Sequence, residues 1–219
     1  MTITTKRYAG ILLALLPAMV LAEDRTYPLP VFRAAEFNGA EHVVINMGPH
    51  QSVTVHEPDG RFKEIQVVVR GRRLLVDRGP QMRPFWQKAP DYTVIVVVPT
   101  LDAMTLSGAV DGRVRLSTRD LLVNLAGASR LELHGSCNRL TVNASGAARL
   151  VANNFNCDTV SITTSGAANA SVYAHGHLLA QASGASHIDV RGKPVDVHQS
   201  NSGASSISFL ARANARERR

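Results

Sequence analysis

Apolar and polar positions alternate along most of this chain, and in its second half the alternation repeats. Units of the form Ser/Ala-Gly-Ala recur at Ser107-Gly108-Ala109, Ala126-Gly127-Ala128, Ser145-Gly146-Ala147, Ser165-Gly166-Ala167, Ser183-Gly184-Ala185 and Ser202-Gly203-Ala204, with glycines 19, 19, 20, 18 and 19 residues apart. Before each glycine, positions −6, −4 and −2 are mostly apolar, as in Leu121, Val123 and Leu125, or Leu140, Val142 and Ala144. After it, +4 and +6 repeat the pattern, as in Leu131 and Leu133, Ile188 and Val190, or Ile207 and Phe209. Period two on both sides of a glycine reads as strand, corner, strand. A repeat of this length whose unit cannot bury its own apolar side chains points to a solenoid.

Stacking such coils about 4.8 Å apart pairs each strand with its equivalent in the next coil and builds one continuous interior. Glycine fits a corner that turns with positive φ. The alanine after it, present in all six copies, fits a crowded corner. The −3 positions Thr105, Asn124, Asn143, Thr163, Gln181 and Ser200 are all polar and are expected to form an outward ladder. Gln199 and Asn201 stand at nominally inward places of the last coil, which reads as a polar, capped end. An Ala/Gly-rich helical array is disfavoured by the alternation and by the Thr, Val and Ser content.

Upstream, short runs at His42–Met47, Ser52–His56, Ile65–Arg70, Leu74–Val76 and Tyr92–Val98 are separated by turn residues and by a longer loop over Gly79–Asp91. They predict an N-terminal β cap over 31–99 that shields the first coil's edge and runs directly into a solenoid over 100–210. The fold class is therefore all-β, a right-handed parallel β-helix-like solenoid with an N-terminal strand cap. The first 22 residues read differently. Lys6 and Arg7 precede 15 uncharged residues, Tyr8–Ala22, and Val20 and Ala22 occupy the −3 and −1 places before Glu23. That is the pattern of a cleaved secretory signal, shorter than a bilayer span. Residues 23–30 are expected as a linker and 211–219 as a basic, frayed tail.

Composition narrows the function. Lys and Arg number 24 against 17 Asp and Glu, for a net charge of +7 over 219 residues. The charge is dispersed, which argues against a nucleic-acid binder but allows anionic envelope polymers. Two cysteines rule out a cysteine-dense scaffold. Cys137 and Cys157 each lie nine residues before a corner glycine, so they fall at equivalent places in adjacent coils. In an oxidising compartment that placement favours a disulfide, the alternative being two buried small side chains in a ladder. His175 and His177 would share a strand face, but no third metal ligand is evident. No Gly-x-Ser-x-Gly elbow supports a serine hydrolase, and no cofactor motif is present.

The Ser-Gly-Ala repeat of about 19 residues, following a strand that ends in Val98-Pro99, resembles the family described as "putative auto-transporter adhesin, head GIN domain". The likeness spans roughly Val31 to Phe209. Val110-Asp111 and Ser129-Arg130 stand where that family more often has Gly-Asp. The resemblance implies a signal peptide, β-strands and a right-handed β-helix-like stack, and it brings no catalytic residues.

Two functions are weighed. One is an exported, non-enzymatic surface or adhesin module of the periplasm or cell surface. Its candidate surface is Arg130 and Arg149 at +3, with Arg115, His134 and Tyr173 at +7 and the aromatic loop residues Phe85 and Trp86, each set against plain exposed surface. Its partners would be envelope or host glycans or surface proteins, and self-association is compatible with the pattern. The other is a polysaccharide-acting β-helix enzyme using carboxylates from neighbouring coils. Only Asp102 and Asp120 approach a pair there, among the scattered Asp102, Asp111, Asp120, Asp158, Asp189 and Asp196.

Overall fold

The structure is a computed structural model that describes residues 23–58, 60–78 and 91–210. The predicted signal segment 1–22, the loop carrying Phe85 and Trp86, and the tail 211–219 lie outside the described residues.

The strands are β1 (Glu23–Thr26), β2 (Ala34–Gly39), β3 (His42–Met47), β4 (Ser52–Glu57), β5 (Ile65–Arg70), β6 (Arg73–Arg78), β7 (Thr93–Val98), β8 (Ala103–Gly108), β9 (Asp111–Leu125), β10 (Arg130–Ala144), β11 (Arg149–Thr164), β12 (Asn169–Ala182), β13 (His187–Gly192), β14 (Asp196–Asn201) and β15 (Ser206–Leu210). A 3-10 turn, Phe62–Glu64, lies between β4 and β5. The result is a right-handed parallel β-solenoid of about six turns. From β9 onward, consecutive strands stack in parallel, with Leu121, Leu140, Val160 and Leu178 in one inward column and Val123, Val142, Ile162 and Ala180 in the next. All eight are buried and belong to one continuous core.

The corners hold this register. Gly127, Gly146, Gly166, Gly184 and Gly203 have φ between 72° and 76°. Each approaches the glycine of the coil below so closely that a side chain does not fit. A Cβ on Gly146 would stand 2.8 Å from the Gly127 carbonyl oxygen. The Ala147 N–H donates to that same oxygen at 2.8 Å, as Ala128 does to Gly108 and Ala167 to Gly146. The corner alanines themselves differ from expectation. Ala128, Ala147, Ala167 and Ala185 are exposed. The crowded inner position is one residue later, where Val110, Ser129, Ala148, Ala168 and Ser186 are buried.

The column also reaches further down than the sequence repeat. A Cβ on Gly108 would lie 2.3 Å from the Gly39 oxygen, so Asn38-Gly39-Ala40 is a seventh corner. β2 pairs in parallel with β8, and β3 with β9. β6 and β7 then lie on the other side of β2 and β3, also in parallel. The chain thus lays down the β2–β3 coil, returns to build the one beneath it, and crosses to β8 above. Among the described residues only β1, β4 and β5 run antiparallel to the strands they join. They form the cap proper. Residues 23–26, expected within a linker, are its edge strand β1.

The outward −3 ladder is present. Thr105, Asn124, Asn143, Thr163, Gln181 and Ser200 are successive register partners. The Asn143 amide donates to Asn124 Oδ1 at 3.0 Å. The polar end coil is only half as expected. Gln199 and Asn201 are exposed, yet so are Val195, Val197, Phe209 and Leu210. Among the described residues the last coil is therefore an open end.

Two glycines separate backbone strain from stacking. Gly71 has φ 54° and nothing within 4 Å of the place a Cβ would take, whereas Gly146 has φ 76° and the Gly127 backbone against it. Gly71→Ala should cost about 1 kcal/mol, the left-handed penalty alone. Gly146→Ala should cost about 2–4 kcal/mol, because overpacking is added. Urea denaturation of both variants checks this. Equal losses would remove the corner column as the source of register.

Candidate functional site

The outward face of the strands that follow each corner is built by alternation: when Val114, Leu131, Leu133 and Leu150 point inward, their neighbours must point out. That places Asp111, Arg113 and Arg115 on β9, Arg130, Glu132 and His134 on β10, and Arg149 and Val151 on β11. Register sets Asp111 beside Arg130 and Arg130 beside Arg149. It also sets Arg115 beside His134. Four of the five predicted surface residues within the described chain thus share one face.

Tyr173 does not join them. A register shift between Ala152 and Asn156 sets Tyr173 opposite Asn156, on the rung after Arg149 and further along the strand. Its ring lies against Gly192, where a Cβ would be 3.4 Å from Cζ. The shift has a simple cause. The 20-residue and 18-residue repeats are absorbed by irregularities in mid-coil and leave the corners in line.

The electrostatics of the face are uneven. Arg113 reaches Glu132 at 4.0 Å, and His134 Nε2 meets Glu132 Oε1 at 2.8 Å. The His134 hydrogen bond, with help from the charges of Arg113 and Arg130, holds the Glu132 carboxyl below the usual carboxylate range. Glu132 therefore stays ionised in mild acid and anchors one arginine and one histidine. Arg115, Arg130 and Arg149 are exposed, and none of the three has an ion pair among the described residues. Arg113 is a member of this face that the sequence pattern did not single out, although its +5 offset was available.

The carboxylate pair considered for polysaccharide cleavage is also visible. Asp102 and Asp120 line an open groove of about 730 Å³ with Arg33, Thr100, Arg119 and Asn138. Each is taken by a guanidinium: Arg33 Nε lies 2.8 Å from Asp102, and Arg139 lies 3.2 Å from Asp120. Among the described residues no group of three or more His, Cys, Asp or Glu is placed to hold a metal ion.

Cys137 and Cys157 are register partners on adjacent coils and are joined by a disulfide, with Cα atoms 4.6 Å apart. Both are nearly buried. The bond staples the two coils that carry Arg130 and Arg149. Its 20-residue span corresponds to about 3 kcal/mol of loop entropy. Cys137→Ser/Cys157→Ser should lose stability of that order in guanidinium unfolding, and an unchanged midpoint would show that stacking alone fixes these coils.

No curated protein matches the chain. Solved structures do. A "putative adhesin" from Bacteroides fragilis superposes with a TM-score of 0.68 at 18% identity, covering 86% of this chain and 96% of that one. A "putative adhesin" from Parabacteroides distasonis gives 0.57 at 14% identity, with 86% and 96% covered. A "putative lipid binding protein" from the same species gives 0.51 at 16% identity over the same shares. At these identities the likeness is one of fold. The family model described as "Putative auto-transporter adhesin, head GIN domain" matches residues 31–194, and the chain belongs to that family.

Proposed function

We propose that the protein is an exported surface-binding module of the cell envelope, and that the face carrying Arg115, Arg130 and Arg149 binds anionic glycans of the envelope or of a host. The observation that carries this reading is the set of three exposed arginines without ion-pair partners among the described residues, two of them on consecutive rungs. Rungs about 4.8 Å apart present charge at a regular spacing, which suits a ligand that is itself a repeat. Arginine favours sulfate and carboxylate groups because its planar fork donates two parallel hydrogen bonds. The disulfide and the corner column hold the arginine backbones rigid, so little ordering entropy opposes binding there. Membership of a family described as adhesins supports the same role. The signal-like segment 1–22 supports export. Among the described residues no helix is long and apolar enough to cross a membrane.

The role of these three arginines is binding. The carboxylate pair considered for cleavage, Asp102 and Asp120, is held by Arg33 and Arg139 and lies in the separate groove. On an array of sulfated and carboxylated glycans, the protein should bind in low salt and weaken as exposed charges are screened. Arg130→Glu/Arg149→Glu should lower affinity at least about tenfold, or about 1.4 kcal/mol, with an unchanged melting curve. Salt-independent binding, or an unaffected double variant, would refute the basic face. Sustained cleavage of a polysaccharide, lost in Asp120→Asn, would replace the binding reading with the enzymatic one.

A further inference from the structure

At the open end, two rungs beyond Arg149 on the same outward face, three side chains form a connected relay. His187 and Ser206 occupy the same +3 place on successive coils and are register partners. His187 Nδ1 lies 2.6 Å from Ser206 Oγ. Two residues along the same strand, and so on the same face, Asp189 Oδ1 lies 2.9 Å from His187 Nε2. One protonation pattern satisfies both contacts. Nε2–H donates to the Asp189 carboxylate, which leaves the Nδ1 lone pair to accept the Ser206 hydroxyl proton.

A hydroxyl, an imidazole base and a carboxylate that orients the base, each within about 2.6–3.2 Å of the next, is the arrangement that activates a serine nucleophile. The other close histidine–carboxylate contact on this face shows what is particular here. His134 meets Glu132 at 2.8 Å but has no hydroxyl at its second nitrogen. Two arginines flank the relay: Arg191, two residues beyond Asp189 on the same outward side of β13, and Arg149, two rungs below His187. Register places Asn169 beside His187, and Ser171 and Ser208 beside Asp189. Ser206 is exposed, while His187 and Asp189 are partly covered.

A donor for the developing oxyanion is also at hand. The Ser206 N–H is used inside the sheet, donating to the Ser186 carbonyl at 3.0 Å. Successive peptides of a strand point to opposite sides. The N–H of Ile207 therefore points away from β13, where β15 has no further strand among the described residues.

We propose that Ser206, His187 and Asp189 form an acyl-transfer site for small, unhindered esters, with Ser206 and His187 as catalytic residues and Asp189 as a positioning residue. Ser206 Oγ bonds to the acyl carbon as its proton passes to His187 Nδ1, and the carbonyl electron pair moves onto oxygen. Collapse of that intermediate breaks the ester C–O bond. The leaving alcohol takes the proton from Nδ1 and departs, leaving acyl-Ser206. Water, deprotonated by the same nitrogen, releases the carboxylic acid and regenerates the hydroxyl. The site goes beyond the glycan-binding reading and does not depend on it.

The test uses the whole protein with a fluorophosphonate probe and with p-nitrophenyl acetate. Intact-mass and peptide mapping should find one fluorophosphonate adduct, on Ser206, and none in Ser206→Ala. His187→Gln should slow both adduct formation and ester cleavage by at least about 100-fold, the share typical of a general base. Asp189→Asn should slow both and change their pH dependence, with partial recovery in Asp189→Glu. Absence of an adduct on Ser206 of the parent protein would overturn the proposal, as would reaction that persists in Ser206→Ala or is unchanged in His187→Gln.

Discussion

The contact on which this structure depends is backbone against backbone at the corner. The corner carbonyls of Gly39, Gly108, Gly127, Gly146 and Gly166 each receive the N–H of the next corner's alanine, and the stacked glycines approach too closely for any Cβ between them. A hydrogen bond alone would be tolerant, since a strand can slip along its neighbour. A turn with positive φ locked over an identical turn cannot slip. In a sheet, a shift of one residue would exchange every inward side chain for an outward one. Fixing the corners therefore decides which residues form the core and which meet solvent for all the stacked coils at once. The disulfide, the asparagine ladder and the arginine face inherit their alignment from that column.

Much of this was legible in the sequence because the constraint is local. A glycine followed by alanine, flanked by period-two apolar positions, records the corner each time it occurs. What escaped was the corner at Asn38-Gly39-Ala40. A repeat search relies on chain order, and here chain order and stacking order part company. Residues 52–98 intervene between coils that touch, so the interval from Gly39 to Gly108 bears no relation to the period. The residue two after the glycine also misleads. In the six later corners it is small or apolar, whereas at the first corner it is Glu41, a fully buried carboxylate approached by the Tyr92 hydroxyl at 3.3 Å. The exposed alanines show the opposite failure. Their invariance suggested crowding, but the inner wall of the corner is one residue further on.

The candidate sites were less legible because side-chain partners come from different coils. Arg130 and Arg149 could be matched by their common offset, and so could Cys137 and Cys157. Tyr173 could not be excluded that way. Its offset equals that of His134, but repeats of unequal length shift the register in mid-coil, where no corner pins it. The Ser206–His187–Asp189 relay was also written in the offsets, at +3, +3 and +5. No short sequence motif would have found it, because nucleophile and base are separated by a whole coil.

This division has a consequence for how such a chain can change. Inward positions are stacked into columns, where loss of a buried aliphatic side chain costs about 2–5 kcal/mol. Outward positions touch mainly solvent and their ladder neighbours, and most substitutions there stay within about 0.5 kcal/mol. Inward change is therefore confined to residues of similar volume, while outward change is almost free. A protein of 18% identity can then share the fold over 96% of its length. The same reasoning says where function must be sought. A charge, a hydroxyl or a histidine placed outward on one coil stands about 4.8 Å from its counterpart on the next, so binding or chemistry arises from pairs of rungs without disturbing the column beneath.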